Sequence, residues 1–179
     1  MGAIVSSPSG RTTARPLLLD AHALLWWLLD SPELSATARA AIAAPDQRVL
    51  VSAATGWEIA TKYRIGKLPE ARDIVEKLPT YLRKQRFEVV PITLEHSMSA
   101  GALPGPHRDP FDRMLIAHAT ALDAVVATVD PVFAGYGIRV LWSGVVAEPA
   151  GLGVRLARDL ARSRLPRKKL RKRGVFIAP

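Results

Sequence analysis

His107-Arg108-Asp109-Pro110-Phe111-Asp112-Arg113-Met114-Leu115-Ile116-Ala117 packs charged residues against the start of an apolar run. Asp109 is placed to cap a helix that Pro110 opens, because proline lacks only an N–H that the first turn leaves unpaired anyway. The spacing predicts a helix over 110–122, with Asp112 in its first turn and Leu115, Ile116 and Ala119 returning along a buried face. Directly after it, Ala124-Val125-Val126-Ala127-Thr128 reads as a strand that delivers Asp130 just past its end. Pro131–Gly137 then makes a turn or a single helical turn, and Ile138-Arg139-Val140-Leu141-Trp142 a last strand.

The same alternation runs upstream. Pro16-Leu17-Leu18-Leu19 is a buried strand ending at Asp20, followed by a short apolar helix from Ala21 to Leu29 that Asp30-Ser31-Pro32 breaks. A second, alanine-rich helix spans Ser35–Ala44, and Arg48-Val49-Leu50-Val51 is a compact strand. Ser52 or Thr55 caps the next helix, which carries Glu58 near its N-terminal turn and stops at Gly66. Residues 70–86 alternate charged and apolar groups at helical spacing, and Pro79 divides them into two pieces. Arg86–Ile92 is a third strand, a helix follows from Thr93 to about Gly101, and Leu103–Arg108 is loop by composition. Strands separated by helices predict an α/β fold with a mainly parallel sheet covered on both faces.

Composition narrows the class. The chain has 179 residues, enough for one domain with a real core, and its 49% hydrophobic content argues against disorder over most of its length. With no cysteine there are no disulfides, thiolate metal sites or cysteine nucleophile, which fits a reducing compartment. No apolar run reaches the roughly 20 residues that span a bilayer, so no membrane partner is expected and the cytoplasm is the expected location. The net charge of +9 is unevenly spread: residues 144–179 hold ten Lys/Arg against two acids, while residues 1–143 hold 15 against 14. The expected organisation is therefore a flexible leader over 1–15, a nearly neutral domain over 16–143 and a basic extension over 144–179. Leu152, Leu156 and Leu160 make that extension partly helical or leave it disordered, as a solvated tail or a nonspecific RNA or DNA contact.

Asp20, Glu58, Asp112 and Asp130 all fall where strands end or the following helices begin, and in an open parallel sheet these positions face one crevice. Each alone has an ordinary explanation as a cap, surface acid or turn former. Together, unpaired carboxylates repel, and such a set is tolerated mainly when a cation joins it. Hard oxygen donors without cysteine favour Mg²⁺ or Mn²⁺ over zinc, and none of the four histidines is paired at zinc-ligand spacing. A metal so held supports phosphoryl chemistry, as in nucleases and phosphatases. Arg108 and Arg113 are candidates to attract a nucleic-acid backbone, with Arg113 equally placed to pair with a neighbouring acid. Trp26 and Trp27 read as core or subunit-interface packing, and the amphipathic 70–86 segment as a solvent face or a groove for a helical peptide.

Leu17-Leu18-Leu19-Asp20-Ala21-His22-Ala23-Leu24-Leu25-Trp26-Trp27, Trp57-Glu58-Ile59-Ala60, the 107–117 string and Thr128-Val129-Asp130-Pro131-Val132-Phe133 together resemble the PIN-domain family, specifically the VapC-type toxins of bacterial toxin–antitoxin pairs. The likeness runs through about residues 17–142 in unbroken order. It implies a three-layer α/β/α sandwich and a magnesium-dependent endoribonuclease, often dimeric, that cuts RNA to a 3′-hydroxyl and a 5′-phosphate and is inhibited by a cognate antitoxin. The family's four catalytic and metal-binding acids fall on Asp20, Glu58, Asp112 and Asp130, while Asp109 matches an additional aspartate that assists or only caps the helix. Three positions depart from the family pattern: Ala21 stands where a threonine is usual, His118 where glutamine is common, and Val129 where a polar or basic residue is common. The alternatives are a DNase or phosphate hydrolase using the same acids, or a non-catalytic protein that binds metal or a partner in the same cleft.

Overall fold

The computed structural model describes residues 14–144. Most of the expected leader and all but the first residue of the basic extension, including the 152–164 helix, lie outside the described residues. Five short strands, β1 (Leu17–Leu19), β2 (Val49–Ser52), β3 (Glu88–Val90), β4 (Val125–Ala127) and β5 (Val140–Leu141), form one sheet in the order β3-β2-β1-β4-β5. Every pairing is parallel, with Leu18 level with Leu50 on one side and Val126 on the other. Seven helices connect them: α1 (Ala21–Leu28), α2 (Ala36–Ala43), α3 (Ala53–Arg64), α4 (Arg72–Gln85), α5 (Leu94–Ala102), α6 (Pro110–Leu122) and the single turn α7 (Val132–Gly135).

The period-two alternation of the strands decides what each face buries. Leu17, Leu19, Val49, Val51, Val125 and Ala127 point to a layer that takes Leu24 and Leu25 of α1, Ile42 of α2, Ile59 of α3 and Ile74, Leu78 and Leu82 of α4. Leu18, Leu50 and Val126 point the other way, onto Leu115, Ile116 and Ala119 of α6 and Phe133 of α7. Leu18, Leu19, Leu24 and Leu50 have no exposed surface, so each contributes on the order of 2 kcal/mol from burial alone. The result is the expected three-layer α/β/α sandwich on an all-parallel sheet. Trp26 and Trp27 pack against the first layer, Trp26 beside Trp142 and Trp27 beside Phe87, so both indoles serve the core.

Two boundaries differ from expectation. Pro79 does not divide 70–86: a 3₁₀ turn at Pro69–Ala71 leads into one helix, α4, with Pro79 inside it. Pro79 lies on the exposed face, so the missing N–H bond falls on the solvent side while Ile74, Leu78 and Leu82 hold the buried side together. Arg72–Glu76 and Asp73–Lys77 ion pairs brace the outer face. Likewise α3 starts at Ala53 under a Ser52 cap, which moves Glu58 from the N-terminal turn into the second turn.

Strand order reverses at β1, whose neighbours β2 and β4 lead to helices on opposite faces, and a crevice opens beyond the carboxyl ends of strands at such a point. Two cavities, one lined by Arg15, Leu17 and Val125 and the other by Gln47, Val49 and Phe87, lie at the amino ends of the strands, away from the acids.

Candidate active site

Asp20 follows β1 directly and caps α1, its Oδ1 accepting the Ala23 N–H at 2.6 Å. Its backbone N–H donates to Ala127 across the switch point, which fixes the carboxylate where β1 and β4 end. The residue is only 7% exposed. Burial pushes its carboxyl above the ordinary aspartate range; hydrogen bonds from Thr128 and Ala23 and the nearby His22 oppose the shift, and the Glu58 charge adds to it.

Glu58 lies on α3, buried, with Lys62 one turn further along placing Nζ 2.6 Å from its Oε1. Asp112 is in the first turn of α6, as expected, with Asp109 as the cap that accepts the N–H groups of Phe111 and Asp112 at 2.8 and 3.3 Å. Burial pushes the Asp112 carboxyl up to about 6; the hydrogen bond with His107 opposes this, and the charges of Asp109 and Glu58 add to it. His107 Nε2 is 2.8 Å from Asp112 Oδ2.

Glu58 lies within electrostatic reach of both Asp20 and Asp112, where its charge is the smallest of the contributions that act on each. Asp130 stands differently. Its Oδ1 accepts the Val132 N–H at 2.8 Å, forming the turn into α7, and it makes no ion pair among the described residues. Its link to the others runs through Thr128, whose hydroxyl accepts the Asp130 N–H at 3.0 Å and hydrogen-bonds Asp20. Among the described residues no three Asp, Glu or His side chains converge as a ready-made ligand set. The donor chemistry still fits a hard divalent cation: the groups are carboxylates, two are raised by burial, and the repulsion they share through Glu58 is what a bound positive charge relieves.

The two arginines separate. Arg108 is exposed and makes no ion pair among the described residues, so its guanidinium is available. Arg113, expected to meet a nucleic-acid backbone or a neighbouring acid, makes no ion pair with an acid among the described residues. Its Nε, Nη1 and Nη2 donate to the carbonyls of Ala100, His107, Gly101 and Leu103 at 2.6–3.2 Å, which ties the loop between α5 and α6 to the turn carrying Asp112. Arg113 thus shapes this loop, with four carbonyls engaging four of its five N–H donors.

Of the departures from the family pattern, Ala21 is buried and supplies no hydroxyl, and Val129 is exposed beside Thr128. His118 has no exposed surface: its Nδ1 meets the Ser52 hydroxyl at 3.0 Å and its Nε2 meets His96 Nδ1 at 3.1 Å. Burial lowers its pKa to about 4, so it is a neutral bridge between α6, α5 and the end of β2. Sequence reasoning missed Lys62, His107 and Thr128 as partners of the acids. The Glu58–Lys62 spacing of four on a helix was the one local signal available.

The family model described as PIN domain matches residues 17–138. Ribonuclease VapC16 of Mycobacterium tuberculosis is 36% identical in a 73-residue alignment that covers 38% of this chain and 50% of that protein; the chain spans about half the length of this curated relative. A solved structure described as VapBC2 from Rickettsia felis bound to a DNA fragment from their promoter superposes with a TM-score of 0.49 at 18% identity, covering 65% of this chain and 89% of the other.

Proposed function

Since the chain belongs to the PIN-domain family, we propose that it is a Mg²⁺-dependent endoribonuclease, with Mn²⁺ as a substitute, that acts as the toxin of a toxin–antitoxin pair. The observation that carries this reading is the placement of Asp20 directly after β1 and of Asp112 in the first turn of α6, two carboxyls raised by burial with Glu58 within electrostatic reach of both. The likeness to Ribonuclease VapC16 supports RNA as the substrate; the toxin role carries with it a cognate antitoxin, and a homodimer is the expected assembly.

Asp20, Glu58, Asp112 and Asp130 are the residues that would hold the ion. Bound there, a divalent cation supplies charge compensation for the acids and polarises a phosphoryl oxygen of the scissile phosphodiester. The chain's own part is to aim the carboxylates. The Ala23 N–H and Thr128 fix Asp20, Lys62 engages Oε1 of Glu58, and His107 engages Oδ2 of Asp112. That leaves Oε2 of Glu58 and Oδ1 of Asp112 as the oxygens that would meet a cation. Arg108, exposed at the start of the same turn, meets the RNA backbone.

Purified protein freed of any antitoxin is expected to cut RNA with Mg²⁺, leaving 3′-hydroxyl and 5′-phosphate ends. Asp20→Ala or Asp112→Asn should lower the rate by at least about 100-fold, the scale of a lost transition-state contact worth roughly 3 kcal/mol. Equal trace cutting by wild type and both variants under matched metal conditions refutes the activity.

A further inference from the structure

Three of the four tryptophans pack against the hydrophobic core; Trp57 does not. It is 56% exposed, although Thr55, Glu58 and Ile59 around it on α3 are all buried. A large indole left in water by a helix that buries its neighbours has no packing role to explain it. It does have a companion. Phe111, half-buried on α6, meets it at a ring-centroid separation of 4.8 Å with the planes 75° apart.

Each ring immediately precedes one member of the acid cluster, Trp57 before Glu58 and Phe111 before Asp112. The aromatic pair therefore bridges the two helices that carry Glu58 and Asp112, one residue along the chain from each acid. An edge-to-face pair uses one face of a single ring, so aromatic surface remains open. Exposed Arg108, two residues ahead of the Pro110 that opens α6, adds a cation on the same approach.

We propose that Trp57 and Phe111 form a stacking platform for an unpaired RNA base, holding the nucleotide next to the acid cluster and selecting single-stranded or looped substrate over duplex. The proposal rests on the ribonuclease reading for the identity of its ligand. Its physical basis is that a π-face accepts any base but reaches it only when the base is out of a duplex stack. The apolar rim and the basic side chain match a base and its phosphate respectively, and the carboxylates behind them match neither without a cation.

The test reads binding rather than cutting. Affinities of a labelled single-stranded oligouridine, the same backbone without bases, and an RNA duplex are measured by fluorescence anisotropy on the full chain in EDTA. Trp57→Ala is expected to weaken oligouridine binding about 10-fold, with Trp57→Phe within about threefold of wild type, as loss and retention of one stacked base require. The base-free backbone and the duplex should bind wild type and Trp57→Ala alike. Unchanged oligouridine affinity in Trp57→Ala overturns the platform, including the case in which that variant loses a protein partner instead. Equal losses for all three ligands, or no oligouridine binding by wild type, overturn it too. A wild type that binds in this pattern but never cuts RNA refutes the proposed activity and leaves the platform standing.

Discussion

Asp112, partly buried, and His118, fully buried, lie on one helix, and burial disfavours the charged form of each, yet they end in opposite conditions. His118 is lowered to about 4 and is satisfied as a neutral ring, with Ser52 on one nitrogen and His96 on the other. Asp112 is raised to about 6 and stays in conflict, because His107 meets one oxygen while Asp109 and Glu58 repel the charge. The same physical cost, desolvation, is settled inside the fold at one position and left open at the other. A settled polar group specifies packing; an unsettled one stores free energy that a ligand can recover. The Asp112 end of α6 is therefore where binding is expected, and the His118 end is where stability is.

Changes at the two ends should separate in sign. His118→Ala removes the bridge between Ser52 and His96 and opens a cavity, for an expected loss of about 4 kcal/mol in urea unfolding. A loss below about 1 kcal/mol would erase the distinction, since the bridge would then not be holding α6. The pH dependence is the next largest effect. His118 has a folded pKa near 4 against 6.5 for the free side chain, so the unfolded chain binds the extra proton first as pH falls. Stability contributed by the neutral ring is fully present above 6.5 and declines toward 4, by up to about 3 kcal/mol. His118→Gln, which cannot titrate, should flatten that decline; a profile identical to wild type would place the acid sensitivity elsewhere.

The contrast was only half legible in the sequence. The Asp109-Pro110 signal announced a helix that the structure bounds at Pro110–Leu122, because capping and the proline act on the nearest residues alone. The strand cores were legible for the same local reason, as were the positions of Asp20 directly after β1 and of Asp112 in the first turn of α6. What local pattern does not carry is which side chain answers each charge. His107 reaches Asp112 because Arg113 holds the intervening loop by its carbonyls, and a guanidinium bound to backbone leaves no motif. The Thr128 hydrogen bond to Asp20 depends on β1 and β4 being neighbours, a property of the sheet rather than of either strand. The continuity of α4 through Pro79 depended on which face the proline occupies once the helix is docked.

The smallest effect bears most directly on the account. With its folded pKa near 6 against 3.8 for the free side chain, Asp112 costs stability that is absent below 3.8 and complete above 6. At pH 7, in EDTA, Asp112→Asn is expected to be more stable than wild type by about 1–2 kcal/mol, allowing for partial exposure of the group. Thermal unfolding of both proteins with and without Mg²⁺ then tests whether that stored cost is what a cation recovers. Mg²⁺ is expected to raise the wild-type midpoint and to leave Asp112→Asn unmoved. A variant no more stable than wild type, with both midpoints rising equally in Mg²⁺, would contradict it.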